Sequence, residues 1–347
     1  MRTIWIEPDK DPLWPALLAQ TRSDVFHSPA WTKVLKATYG FEIRALVGLD
    51  GEERPRAGLL VARLSDFRGE RLVTLPFSDY CDPLGDRPGA WACLAADLLK
   101  PGLPVHIRCL HNTQPLSDPR FNVEGQACWH GLDLDTDTAA LWARLHESAR
   151  RAIRKATASG VRVEAARDEA GLRAFYDLHL RVRKTKYRLL AQPYRFFQAI
   201  WSYFLTQGQG VILLAYKDGA LLAGTLYLIW NDTLYYKFNA SDPAGLAYRP
   251  NDLLVWEGIQ YALAHGLRRL DFGLSDADQE GLLRFKRKFG TTEKPIAILK
   301  HQPSPGSTAA TDGLPALLSQ LTWLLTEPDV PESITESASD LLYRFFA

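Results

Sequence analysis

Leu213-Leu214-Ala215-Tyr216-Lys217-Asp218-Gly219, followed by Ala223-Gly224-Thr225-Leu226-Tyr227, repeats in outline a stretch met earlier in the chain. The earlier copy is Ala45-Leu46-Val47-Gly48-Leu49-Asp50-Gly51 with Ala57-Gly58-Leu59-Leu60-Val61 behind it. Each copy reads as an apolar strand, an Asp-Gly turn and a second strand, the signature of a β-hairpin. A third strand follows in both, over residues 72–79 and 234–242. Helices are expected next, over 88–100 and 250–265, where Pro250 suits a first helical position and Gly266 the residue past the end. A further strand follows each helix (105–110 and 269–274), and a helix precedes each copy (29–39 and 171–184). Strands joined through a helix pair in parallel, so the fold class predicted is α/β with mixed sheets, one arrangement used twice.

The domains follow from the repeat. An amino-terminal domain is expected over 1–138 and a second over 161–302, with a linking helix at 139–160 whose Leu141, Leu145, Ala149, Ile153 and Ala156 share one face. Residues 303–347 read as a linker, with Pro, Gly and Ser concentrated between Gln302 and Gly313, and two short helices. At 347 residues and 46% hydrophobic composition, the chain is long for one domain and has enough apolar surface for two cores. The first residues lack an apolar leader, and the longest nearly apolar run, Ala220 to Trp230, is far shorter than the roughly 20 residues of a spanning helix. No transmembrane segment and a cytoplasmic location are therefore expected. Cys81, Cys93, Cys109 and Cys128 form no CxxC pair, and the histidines have no ligand spacing, so no metal is expected.

Lys plus Arg is 41 and Asp plus Glu 40, a net +1 that excludes a uniformly basic coat for nucleic acid. The charge is unevenly placed. Residues 144–188 hold thirteen Lys or Arg against five Asp or Glu, whereas 302–347 hold six acidic residues against Arg344 alone. Arg150 and Arg154 stand four apart on the linking helix, where like charges repel. They read either as a solvated face or as an anion site. Arg183 and Lys186 close the next helix, and Arg284, Lys286, Arg287 and Lys288 form a third cluster. Brought together, the three would line a basic cleft, which the acidic tail would be able to cover.

Two stretches resemble a known family. Leu141 to Ala156, rich in arginine, and Asp271-Phe272-Gly273-Leu274-Ser275-Asp276 with Phe285-Lys286-Arg287-Lys288-Phe289-Gly290 are similar to the Fem-type peptidyltransferases and their GNAT-like acyltransferase relatives. That resemblance implies two tandem GNAT-like domains and transfer of an acyl or aminoacyl group to an amine, in cell-envelope or polysaccharide metabolism. The donor it implies is aminoacyl-tRNA or acyl-CoA. The acceptor is a small-molecule or lipid-linked amine such as a peptidoglycan precursor, with peripheral contact at the inner membrane face. It also places Lys286, with Phe285 beside it, at the substrate site. Aminolysis passes through an oxyanion that a cation can stabilise, and a base must take the amine proton. Asp271 is the candidate to orient the lysine or accept that proton. Strand alternation puts Lys237 and Asn239 on one face, toward the cleft, and Tyr236 and Phe238 on the other.

The loop Ala244 to Asp252 departs from the pattern of a CoA site. It lacks paired glycines, Pro250 removes an N–H, and Asp252 occupies the first helical turn where an anion would sit. Arg249 remains as a possible phosphate contact. Acyl-CoA is thereby disfavoured against aminoacyl-tRNA. Two alternatives stand beside this reading: an acetyl-CoA-dependent N-acetyltransferase, and a non-catalytic module that binds RNA or an anionic glycan. In the first half, Asp79, Tyr80 and Asp82 read as acceptor contacts or as a plain turn, and His27 and Trp31 as packing residues.

Overall fold

The computed structural model describes residues 1–85, 87–303 and 313–347; most of the expected linker lies outside them. The chain forms two compact units, Met1–Trp129 with Lys294–Leu318 and Ala347, and His130–Glu293 with Ser319–Phe346. The chain passes from one unit to the other at residues 129–130, 293–294 and 318–319 and again before Ala347, outside the linking segment expected at 139–160.

The first unit runs β1 (Arg2–Ile6), α1 (Leu13–Leu18), α2 (Pro29–Tyr39), β2 (Glu42–Leu49), β3 (Pro55–Asp66), β4 (Gly69–Val73), α3 (Ala90–Leu98), β5 (Val105–Cys109) and the start of β6 (Asn122–Asp133). In the second come α4 (Thr138–Arg144), α5 (Glu147–Ala158), β7 (Arg162–Ala165), α6 (Glu169–Val182), α7 (Tyr194–Tyr203), β8 (Gly210–Lys217), β9 (Ala220–Trp230), β10 (Thr233–Ser241), α8 (Pro250–Ala264), β11 (Arg269–Asp276) and α9 (Glu280–Arg287). Strand β12 (Thr292–His301) returns to the first unit, and α10 (Leu314–Leu325) and α11 (Glu332–Leu342) end the chain.

Both hairpins form as expected, β2 against β3 with Leu46 opposite Leu59, and β8 against β9 with Leu213 opposite Thr225. Both parallel pairs form too, β4 with β5 and β10 with β11. The first unit's sheet is completed by a strand from the far end of the sequence: β12 lies antiparallel to β5, Ala297 opposite Cys109. In the second unit the strand order is β6-β11-β10-β9-β8-β7.

Local signals explain the helix ends. Ser28 accepts the Trp31 N–H, Pro29 opens α2, and Gly40 closes it at φ 67°. The linking segment is two helices instead of one. Leu145 and His146 are extended, and the His146 ring accepts the Ser148 N–H, starting α5 afresh. The stripe expected on that segment is buried, with Leu141, Leu145, Ala149, Ile153 and Ala156 in one core with Leu254 and Ile259 of α8. In the first unit, Trp91, Leu94 and Leu98 of α3 cover Leu59, Val105 and Ile107, with Leu299 of β12 in the same core. Among the described residues, no helix is long and apolar enough to cross a membrane.

Candidate active site in the second unit

Strands β10 and β11 pair over three residues only, from Thr233↔Arg269 to Tyr235↔Asp271, and then part. The cause lies in β10, whose register against β9 jumps between Tyr236 and Phe238. Lys237 is the extra residue of a β-bulge, which bends its strand and ends regular pairing. Beyond it, the edge of β10 that faces β11 is left without a strand partner, an opening with backbone polar groups along one side.

The bulge corrects the alternation expected on this strand. Tyr236 packs beside Tyr227 and Phe272, whereas Phe238 meets His179, Phe196 and Phe197 of the helices on the opposite face. Asn239 therefore shares a face with Tyr236, not with the bulged Lys237. Its amide donates to Gly224 O, Thr225 Oγ1 and Asn251 Oδ1, knitting β10 to β9 and to the start of α8. The Lys237 ammonium lies 5.6 Å from the Phe238 ring centre.

Where β11 leaves β10, Gly273 turns into the left-handed region at φ 66°. That turn brings the carbonyls of Gly273 and Leu274 to one point, and Lys286 Nζ donates to both, at 3.1 and 3.0 Å. Asp271 Oδ1 accepts the Gly273 N–H at 2.6 Å. Lys286 and Asp271, both buried, thus meet on one residue, Gly273, from its carbonyl and its N–H respectively. Phe285 packs edge-on to Phe289 beneath the Lys288 ammonium, 4.3 Å from its ring centre, and is a wall of the second core.

Sequence reasoning missed His130. It is fully buried on β6, and neither ring nitrogen has a hydrogen-bond partner. Its Nε2 lies 3.6 Å from Glu293 Oε1, a carboxylate that also takes the Arg287 guanidinium. Burial and the positive charge of Lys286 push its pKa down to about 4, so the ring is neutral at pH 7. No spacing motif surrounds it; the available signal was a histidine in the apolar run Ala127 to Leu132.

The start of α8 is occupied by the chain itself. Asp252 is buried in the first turn and ion-paired with Lys288, and burial still raises its pKa. Arg249 precedes it, exposed and at φ 60°, with no side-chain cap. Arg150 donates to the Ala143 carbonyl at 3.2 Å. Arg154 stands over Trp142 and lines a 410 Å³ cavity with Trp256 and Glu257.

The second basic cluster is divided, with Lys184 buried and Arg181 and Lys186 exposed. Arg183 spends its guanidinium on Leu190 O, and Lys186 lies over the Tyr187 ring. Its neighbours hold the acidic tail. Arg173 grips Glu336 through two bonds of 3.0 Å, Arg188 pairs with Glu327 at 2.8 Å, Arg195 with Asp340 at 3.3 Å and Arg181 with Glu332 at 3.6 Å. Lys184 is buried and donates to the carbonyls of Pro328 and Val330.

A family model for the acetyltransferase (GNAT) domain matches residues 143–287. Over 80 residues the chain is 34% identical to the lipid II:glycine glycyltransferase of Staphylococcus epidermidis (strain RP62A), covering 21% of this chain and 19% of that protein. Over 86 residues it is 30% identical to the lipid II:glycine glycyltransferase of Staphylococcus haemolyticus, covering 23% and 20%. The chain thus matches about a fifth of the length of these curated relatives. Among solved structures, the crystal structure of FemX aligns over 86% of this chain and 97% of its own, with a TM-score of 0.65 at 16% identity. A tandem GNAT protein from the clavulanic acid biosynthesis pathway aligns over 88% and 99%, with a TM-score of 0.58 at 14% identity. At such identities the likeness is one of fold. The Fem-type, tandem-GNAT resemblance read from the motifs is what these matches show.

Proposed function

We propose that this chain, Fem-type and GNAT-like in fold, transfers an acyl or aminoacyl group to an amine at the opening between β10 and β11. The carrying observation is the bulged, three-residue pairing of those strands beside the buried Lys286 and Asp271. A substrate carbonyl set along the open edge of β10 meets backbone N–H groups already fixed in place, the arrangement that stabilises an oxyanion with least reorganisation. The amine nitrogen attacks the carbonyl carbon, the bond to the leaving oxygen breaks, and the proton lost by the amine ends on that oxygen. Lys286 and Asp271 serve as positioning residues, holding the backbone on both sides of Gly273, which forms the other wall.

The donor best supported is an aminoacyl ester, as in aminoacyl-tRNA. A pyrophosphate would need the first turn of α8, where Asp252 already supplies the negative charge and Lys288 answers it. Two relatives are named for glycyl transfer to lipid II, which supports a lipid-linked amine as acceptor, met from the cytoplasmic face of a membrane. Exposed Trp323, Leu324 and Leu341 suit such peripheral contact.

The test is product formation. The protein is incubated with a lipid-linked peptidoglycan precursor and either aminoacyl-tRNA or acyl-CoA, and the acceptor is weighed by mass spectrometry. An acceptor heavier by one aminoacyl residue with the tRNA donor alone is the expected result. An acetylated acceptor would move the reading to N-acetylation, and no product from either donor would overturn transfer altogether.

A further inference from the structure

A cavity of 570 Å³ lies wholly within the first unit, well inside the size range of small-ligand sites. Gln20, Arg22, Asp24, Asp82, His111 and Lys294 are among the side chains that line it. Its centre is Asp82. One oxygen, Oδ1, accepts three consecutive backbone N–H groups, those of Leu110, His111 and Asn112, at 2.8 to 2.9 Å. The other, Oδ2, is buried and has no hydrogen-bond partner.

A carboxylate held so firmly at one oxygen and left bare at the other is costly unless something answers it. The protein's own cations do not. His27, whose Nε2 donates to the Asp82 carbonyl at 2.8 Å while its Nδ1 accepts the Asp24 N–H, is itself buried and pushed toward its neutral form. Asp24, on the same cavity wall, adds a second negative charge, with the His111 ring 3.9 Å from it. Arg22 lies beside that ring, its Nη2 3.4 Å from His111 Nε2, and Lys294 stands over the Trp129 ring. The walls thus offer two acids to a cation and two bases to an anion.

We propose that this cavity binds a small zwitterion, its primary ammonium at Asp82 and Asp24 and its carboxylate toward Arg22 and Lys294. An amino acid or a compound of that shape is the class that fits. Such a ligand would donate to Asp82 Oδ2 the bond the protein leaves unmade.

Binding is measured by titration calorimetry on the full chain without any acyl donor, so a failed transfer assay leaves the result unaffected. The probes are glycine, L-alanine, L-lysine, N-acetyl-L-alanine and ethanolamine. At least one of the three amino acids should bind, N-acetyl-L-alanine should not, and ethanolamine should bind more weakly than that amino acid. Asp82→Asn keeps the oxygen that accepts the three N–H groups but removes the charge, and should weaken binding by roughly ten- to hundred-fold. Should that variant unfold, Arg22→Ala, on an exposed side chain, should lower amino acid affinity while leaving ethanolamine unchanged. Absence of heat from all three amino acids, equal binding of the acetylated compound, or amino acid binding unmoved by Arg22→Ala would each overturn the proposal.

Discussion

Two consecutive carbonyls converge on one ammonium because Gly273 sits at φ 66°, a conformation that costs a residue with a β-carbon about 1–2 kcal/mol. Gly273→Ala should therefore loosen the wall that Lys286 holds. Lys286→Met keeps the buried stem but strips both carbonyls of their donor, for a loss of roughly 1–3 kcal/mol for each group left unsatisfied. If Lys286 positions the wall, both variants should unfold at lower denaturant concentration and lose turnover together. A full loss of turnover with unaltered stability would instead place the lysine on the substrate. His130 admits a cleaner test. Its folded pKa of about 4 lies below the ordinary 6.5, so as pH falls between those values the unfolded chain takes up a proton that the folded chain refuses. Its contribution is thus lost on acidification. Asp82, raised to about 6, contributes with the opposite sign, but does so equally in parent and variant. His130→Leu should match the parent at pH 7, since no hydrogen bond is removed, and exceed it at pH 4.5 in chemical denaturation. Equal stability at both pH values would show that the ring titrates normally. Of these residues, Lys286 and Asp271 stood out as candidates because a motif surrounds them; His130 did not, because its environment is made by α9 and β12, about 150 residues and more away in sequence.

At the scale of elements, local chemistry was readable and long-range pairing was not. The hairpins and α8 announce themselves through Asp-Gly turns and Pro250. β12 has Pro295 and two charged residues, Glu293 and Lys294, in its first half, which interrupt any strand pattern, and its partner β5 lies nearly two hundred positions earlier. The bulge at Lys237 was equally hidden, since nothing in Tyr236-Lys237-Phe238 departs from ordinary alternation. The tail is fixed by more than charge. Its ion pairs are half-exposed and individually worth little, whereas Lys184 is buried against the Pro328 and Val330 carbonyls. Lys184→Ala should accordingly free α11 more than Arg195→Ala does, read as faster amide hydrogen exchange over Glu332–Leu342. Equal exchange in the two variants would mean that the ion pairs carry the attachment.

For the whole molecule, a formal charge of +1 describes a cancellation that the fold makes physical. Glu327, Glu332, Glu336 and Asp340 stand against Arg188, Arg181, Arg173 and Arg195, so the basic segment and the acidic tail meet within one unit. The near-neutral surface is then a property of the closed tail. Replacing the four acids by Gln, Gln, Gln and Asn keeps their shapes and most of their hydrogen bonds while removing four negative charges beside four arginines. If aminoacyl-tRNA is the donor, the variant should bind tRNA more tightly than the parent at low salt. Each arginine that engages a phosphate should steepen the dependence of log K on log salt by roughly 0.7–0.9. The slope decides where the arginines point. A gain in affinity with an unchanged slope would reflect the general field of a more positive protein, whereas a steeper slope requires the freed guanidinium groups to touch the backbone. Neither change would mean that the tail covers no nucleic-acid surface, and the arginines would then serve only to hold α11 in place.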